Sequence, residues 1–302
     1  MDFYLHHSFV ALIFALCTAG ILTNVFILAT NFNNWKTQKT LETFDKILSY
    51  IATIRCLLLL HALLLNLLLV FFRHLFQSLI LNTFMLVMTL LLNHFILWFS
   101  TILCVFYCLK IANCNYKCFI FLKTHISSLV HWFLLASLPI SVTFSVPFFW
   151  HVLDPELLET THSLVENTTF TRDMVHPNTD NMFWTFLMGS LPPLVIFFVA
   201  IFLLIQSLHM HIRNMRCNGT SFGSPNLDVH FCAIKTMILF LVLYVIYFTC
   251  ANLLLLPKHI INTTWKYFIS ILTCSSPFVH SLYVIFINKK LKTAFLRRFH
   301  CH

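Results

Sequence analysis

Seven runs of apolar residues, each long enough to cross a lipid bilayer, leave this chain few folds to choose from. They lie near Ser8–Asn31, Ile47–Phe71, Ile80–Leu109, Ser127–Phe149, Met182–Leu208, Phe231–Leu256 and Trp265–Ile287. A helix needs about 20 apolar residues to span the hydrocarbon core. Inside that core every backbone amide must be satisfied within its own segment, which an α-helix achieves. A membrane barrel needs short alternating strands and frequent turns, and a chain with 4 Gly and unbroken apolar runs does not supply them. Only 10% of the 302 residues are charged, against about 25% in soluble domains. The sequence therefore predicts an all-α membrane bundle of seven helices forming a single domain over residues 1–302. The first run has no basic flank, only Asp2, and is longer than a signal-peptide core of about 7–15 residues. It reads as a retained first span.

The formal net charge of +9 is membrane orientation rather than nucleic-acid affinity, because cytoplasmic loops collect Lys and Arg. On one side fall Lys36, Lys39, Lys46, Lys110, Lys117, Lys123, Arg213, Arg216, Lys235, Lys289, Lys290, Lys292, Arg297 and Arg298. The other side holds Arg73, Arg172, Lys258 and Lys266. This bias predicts an outer N-terminus and an inner C-terminus. The sequons at Asn167 and Asn262 then lie outside and the one at Asn218 inside. Asn167, in a long polar loop far from any span, is the better glycosylation candidate; Asn262 is the second.

Ionisable groups within a span are costly and tend to be functional. Arg55 sits in the middle of the second run, with Asn24 in the first and His280-Ser281 in the seventh at comparable depth. These residues are expected to form a network, with Arg55 held by Asn24 and by the backbone of the seventh span. It serves either as a fixed clamp or as one that breaks on activation. His61, Asn66, Asn93 and His94 are further polar residues in apolar runs. Each is either interhelical glue or the lining of a cavity. Pro139, Pro147, Pro192, Pro193 and Pro277 predict kinks.

Two classes of function fit poorly. None of the 10 acids lies inside an apolar run, and proton or cation transport usually relies on carboxylates there. The 17 His residues are scattered without metal-ligand spacing, which argues against a metalloenzyme and against any bound cofactor. The 11 Cys residues avoid the long polar loop, so they read as small apolar side chains.

Several stretches resemble a known family. The third run ends Phe106-Tyr107-Cys108-Leu109-Lys110-Ile111-Ala112, and the seventh carries Pro277-Phe278-Val279-His280-Ser281 followed by a basic tail. The fifth ends His209-Met210-His211 with Met215 beyond, and the sixth carries Lys235-Thr236-Met237 and Leu243-Tyr244-Val245-Ile246-Tyr247. With Asn24 and Arg55, these motifs resemble the type 2 taste receptors in order and position, from about Gly20 to Leu296. Vomeronasal type 1 pheromone receptors are the nearest alternative. The resemblance implies a receptor that binds small, often bitter or toxic molecules in an outward cavity. It also implies coupling to a heterotrimeric G protein of the gustducin or transducin type at the plasma membrane. It places Asn93, Thr89, Asn66, Thr185, Phe186, Tyr247 and Ser270 around the cavity. Thr89 stands where many members carry Trp. Tyr244 is implied as a packing switch, and Tyr107, Lys110, His211, Met215 and Lys235 as the border of the G-protein cleft.

Overall fold

The structure is a computed structural model that describes residues 2–72, 74–75, 78–111, 117–147, 179–217, 225–254, 256 and 260–299. The helices are α1 (Asp2–Gln38), α2 (Thr43–Phe71), α3 (Leu79–Ile111), α4 (Lys117–Thr124), α5 (Ile126–Ser145), α6 (Thr179–Cys217), α7 (Pro225–Leu254), α8 (Thr263–Ile287) and α9 (Lys289–Phe299). Seven of them, all but α4 and α9, are long and apolar enough to cross a membrane. Neighbours pack in a closed ring, α1 on α2, α2 on α3, α3 on α5, α5 on α6, α6 on α7, α7 on α8 and α8 back on α1. α3 also touches α6 and α7, so it crosses the inside of the ring. This explains why α3 carries so many buried residues, from Met85 to Leu109. Leu22, Leu60, Trp132, Phe202 and Phe268 are among the many large apolar side chains left exposed. They suit a lipid solvent and would be untenable in water.

The helices outrun the apolar stretches. α1 continues to Gln38 and α6 to Cys217, because a helix that leaves the hydrocarbon keeps its hydrogen bonds while its side chains turn polar. α5 ends earlier than the apolar run suggests, at Ser145, and residues 148–149 lie outside the described set. α1 stops at Lys39, whose φ of 59° is left-handed and whose N–H donates to Trp35 O at 2.8 Å, a helix-ending geometry. Among the described cysteines, Cys17, Cys104, Cys108 and Cys250 are buried thiols outside any disulfide, and Cys56 and Cys274 are half-buried ones.

α9 is amphipathic. Leu291 is buried, and the Phe295 ring meets Phe26 of α1 at 5.6 Å and Phe286 of α8 at 5.8 Å. Lys290 ties this helix to the start of α2, donating to Glu42 at 2.9 Å and to Asp45 at 3.5 Å. The hydrogen bond from Lys290 holds the Glu42 carboxyl below its usual range, and the same bond holds the Lys290 ammonium above its own. The pairing is thus complete at neutral pH. It is lost as pH falls through the lowered Glu42 value, and again as pH rises through the raised Lys290 value. Glu42 is exposed, so Glu42→Gln is expected to cost at most about 1 kcal/mol. Lys290→Gln should cost more, because it also strips the cation from buried Asp45. Melting temperatures of the two variants test that order.

Candidate functional site

The deepest polar contacts join three helices. Arg55 of α2, 3% exposed, donates from Nη1 to Ser281 Oγ of α8 at 3.3 Å. Ser281 Oγ in turn donates to Asn24 Oδ1 of α1 at 2.8 Å. Asn24 Nδ2 donates to Gly20 O, one turn back in its own helix, at 2.7 Å. Arg55 therefore meets α8 through a side-chain hydroxyl rather than the backbone expected from the sequence, and reaches Asn24 through Ser281. His280, beside Ser281, stacks on Phe240 of α7 with ring centroids 4.2 Å apart.

One or two turns away, the Tyr247 hydroxyl of α7 donates to Asn93 Oδ1 of α3. Both residues are buried, so the pair is a polar bolt through the middle of the bundle. On the Arg55 side of this bolt lies a cavity of about 30 Å³ whose lining includes Arg55, Ser100, Tyr244, Tyr247, Ser276 and His280. Tyr244 packs its ring on Phe197 of α6 at 4.9 Å.

The other candidate residues divide by their partners. Thr89 Oγ1 bonds His61 Nε2 of α2 at 2.9 Å and donates to Met85 O at 2.9 Å. Asn66 spends its Nδ2 on Ala62 O in its own helix at 2.7 Å. Phe186 is fully buried, with its ring 4.9 Å from that of His94, so it packs α6 on α3. His94 Nδ1 bonds Ser145 Oγ of α5 at 3.2 Å. Thr185 and Ser270 are half-buried on α6 and α8.

At the end of the bundle that carries the α1–α2 turn, Tyr107 packs on Phe44 at 5.4 Å. One turn on, Lys110 lies 5.8 Å from the Phe106 ring centroid, and Lys235 is exposed on α7. His211 and Met215 fall on α6, but their side chains lie outside the described set, as does Asn167 altogether. Asn262 caps α8, its Oδ1 accepting from Trp265 N at 3.1 Å.

The family model described as Taste receptor protein (TAS2R) matches residues 1–302. The chain belongs to the type 2 taste receptor family. Taste receptor type 2 member 39 of Mus musculus is 32% identical over 278 residues, covering 91% of this chain and 86% of the relative. Member 13 of Homo sapiens is 30% identical over 298 residues, covering 98% of this chain and 97% of the relative. Member 40 of Gallus gallus is 30% identical over 278 residues, covering 90% and 88%. As a type 2 taste receptor the protein is a multi-pass receptor of the plasma membrane and not an enzyme. Membership implies small-molecule ligands and G-protein coupling.

Two features of this taste receptor site gave little signal in the sequence. Gly189 lets α6 approach α3 and α5, and a Cβ there would meet His94 Nε2 at 2.6 Å and Phe144 Cγ at 2.8 Å. A glycine among apolar residues carries no hint of which neighbour needs the room. Ser100 and Ser276 reach the cavity from different helices. Lone serines in apolar runs are common, and only the packing register singles these out.

Proposed function

We propose that this chain is a bitter taste receptor, with its N-terminus outside the cell, its C-terminus inside and residues 1–302 acting as one domain. Small bitter or toxic molecules enter from the outer side and meet Asn93, Tyr247, Thr89, Asn66, Thr185, Phe186 and Ser270. The observation that carries this reading is the Asn93–Tyr247 hydrogen bond between α3 and α7. A ligand with a donor or acceptor competes for either partner and changes how the two helices are held. Such a ligand activates only insofar as it prefers the rearranged state. The surroundings are aromatic and polar without a fixed carboxylate, so recognition rests on stacking and a few hydrogen bonds. Affinity is accordingly micromolar or weaker.

Signal passes through the Arg55–Ser281–Asn24 contacts and Tyr244 to the opposite end. There Tyr107, Lys110, His211, Met215 and Lys235 border the cleft for a gustducin- or transducin-type G protein. Its released βγ subunits trigger phospholipase C and calcium release. Asn167 carries the outer glycan, with Asn262 second.

The test is calcium release in cells expressing the chain with a gustducin-type chimeric G protein, screened with a panel of bitter compounds. Asn93→Ala, matched for surface expression, should raise the half-maximal agonist concentration at least tenfold, as expected when a hydrogen bond worth about 1.4 kcal/mol or more is lost. An unchanged dose response in Asn93→Ala would show that the Asn93–Tyr247 pair is structural only.

A further inference from the structure

The charge of Arg55 has no counter-ion within the apolar stretches. An arginine stays protonated in proteins, and none of the chain's acids lies inside an apolar run. Asp45, the nearest acid along α2, is about 15 Å away by helical rise and is occupied by Lys290. Ser281 Oγ accepts from Nη1, while the buried Nε makes no hydrogen bond among the described residues. His280 Nδ1 and the Tyr244 hydroxyl are likewise buried without one. Thr101 Oγ1 has a single proton, which goes to the carbonyl of Leu97 or of Pro193, so it does not donate to that hydroxyl, whose own proton finds no acceptor in hydrogen-bond geometry among the described residues. Arg55, Tyr244 and His280, the three residues with these unsatisfied atoms, all line the same cavity of about 30 Å³. A site of that kind attracts a ligand, because buried polar groups are normally satisfied.

The chemistry selects the ligand. A guanidinium N–H and a phenol O–H are donors, and the His280 nitrogen becomes a third when the proton sits on Nδ1. A cation is repelled by Arg55. A buried water needs about 10–15 Å³, so a space of about 30 Å³ suits two waters or one small anion. Only the anion neutralises the guanidinium. We propose that this cavity binds a chloride ion as the buried counter-ion of Arg55, held by Arg55 Nε–H, His280 Nδ1–H and the Tyr244 hydroxyl. The ion links α2, α7 and α8, so it stabilises the arrangement of helices described above and does not depend on the identity of the agonist.

The test uses the full-length receptor in lipid nanodiscs. Its melting temperature is followed as chloride is replaced by gluconate at constant ionic strength. By mass action, a ligand of the folded state raises the melting temperature. The expected result is a saturable rise of several degrees with chloride, reproduced by bromide and absent with gluconate. Radiolabelled chloride should bind with a stoichiometry of about one per chain. Tyr244→Phe keeps the ring and removes one donor, and should shift the chloride midpoint at least fivefold. Arg55→Met should abolish binding of the radiolabel. Equal melting temperatures in chloride and gluconate would overturn the proposal and leave the cavity to water. So would a chloride effect that Tyr244→Phe leaves untouched, because the ion would then sit elsewhere. If Tyr244→Phe does not fold, the stoichiometry in the unsubstituted protein decides: no bound chloride, no site.

Discussion

Gly189→Val is expected to cost about 3 kcal/mol or more and to remove most of the folded protein from the cell surface. The first added carbon already lands 2.6 Å from His94 Nε2, 2.8 Å from Phe144 Cγ and 2.9 Å from Phe144 Cβ. None of these atoms can yield cheaply. The His94 ring is pinned by Ser145 at one nitrogen and by Phe186 at 4.9 Å on its side. The Phe144 Cβ moves only if α5 moves. Gly20→Ala is the matched control. There the nearest atom is Leu59 Cδ1 at 2.7 Å, a terminal methyl that can rotate away, and alanine gains up to about 1 kcal/mol of helix propensity. Gly20→Ala should therefore be neutral or mildly stabilising. Surface immunostaining and melting temperature of the two variants decide the matter. Equal behaviour would mean that α3, α5 and α6 do not meet at Gly189 in the membrane.

At the buried arginine, the expected ranking inverts intuition: losing the acceptor should hurt more than losing the charge. Ser281→Ala removes only the Oγ that accepts from Arg55 and donates to Asn24. It leaves one N–H of the buried guanidinium without its hydroxyl acceptor, a change that costs about 1–3 kcal/mol. Arg55→Met removes the cation and keeps the Ser281–Asn24 bond. Replacing an unpaired buried charge by an apolar chain of similar volume removes its desolvation cost. Melting temperature in chloride-free detergent should thus fall in Ser281→Ala and hold or rise in Arg55→Met. The reverse order would show that groups other than Ser281 satisfy the guanidinium.

The seven spans were legible because the bilayer sets a length that unbroken apolar runs must meet. Helix ends were not. Outside the hydrocarbon apolarity no longer marks a helix, so the extension of α6 to Cys217 left no trace. The short helices α4 and α9 were missed for the same reason; α9 is defined by which side of it meets Phe26 and Phe286. Arg55, Asn24 and Ser281 stood out in the sequence because polar groups at one depth in lipid need one another. Whether Arg55 met a hydroxyl or a backbone carbonyl depended on helix rotation, which no single run encodes. Asn93 and Tyr247 were each singled out, but their pairing across 154 residues follows only from α3 crossing inside the ring. Asn66 looked equivalent to Asn93, yet it bonds its own helix. An amide in a span can always be satisfied locally, and sequence does not say which choice it makes.

The buried, reduced thiols of Cys17, Cys104, Cys108 and Cys250 have a practical corollary. They are spread over α1, α3 and α7 and are shielded from reagents while those helices stay packed. A fluorogenic maleimide added during heating would therefore light up helix by helix as the bundle opens. Retaining one thiol at a time would turn a single melting curve into a map of which helix leaves first.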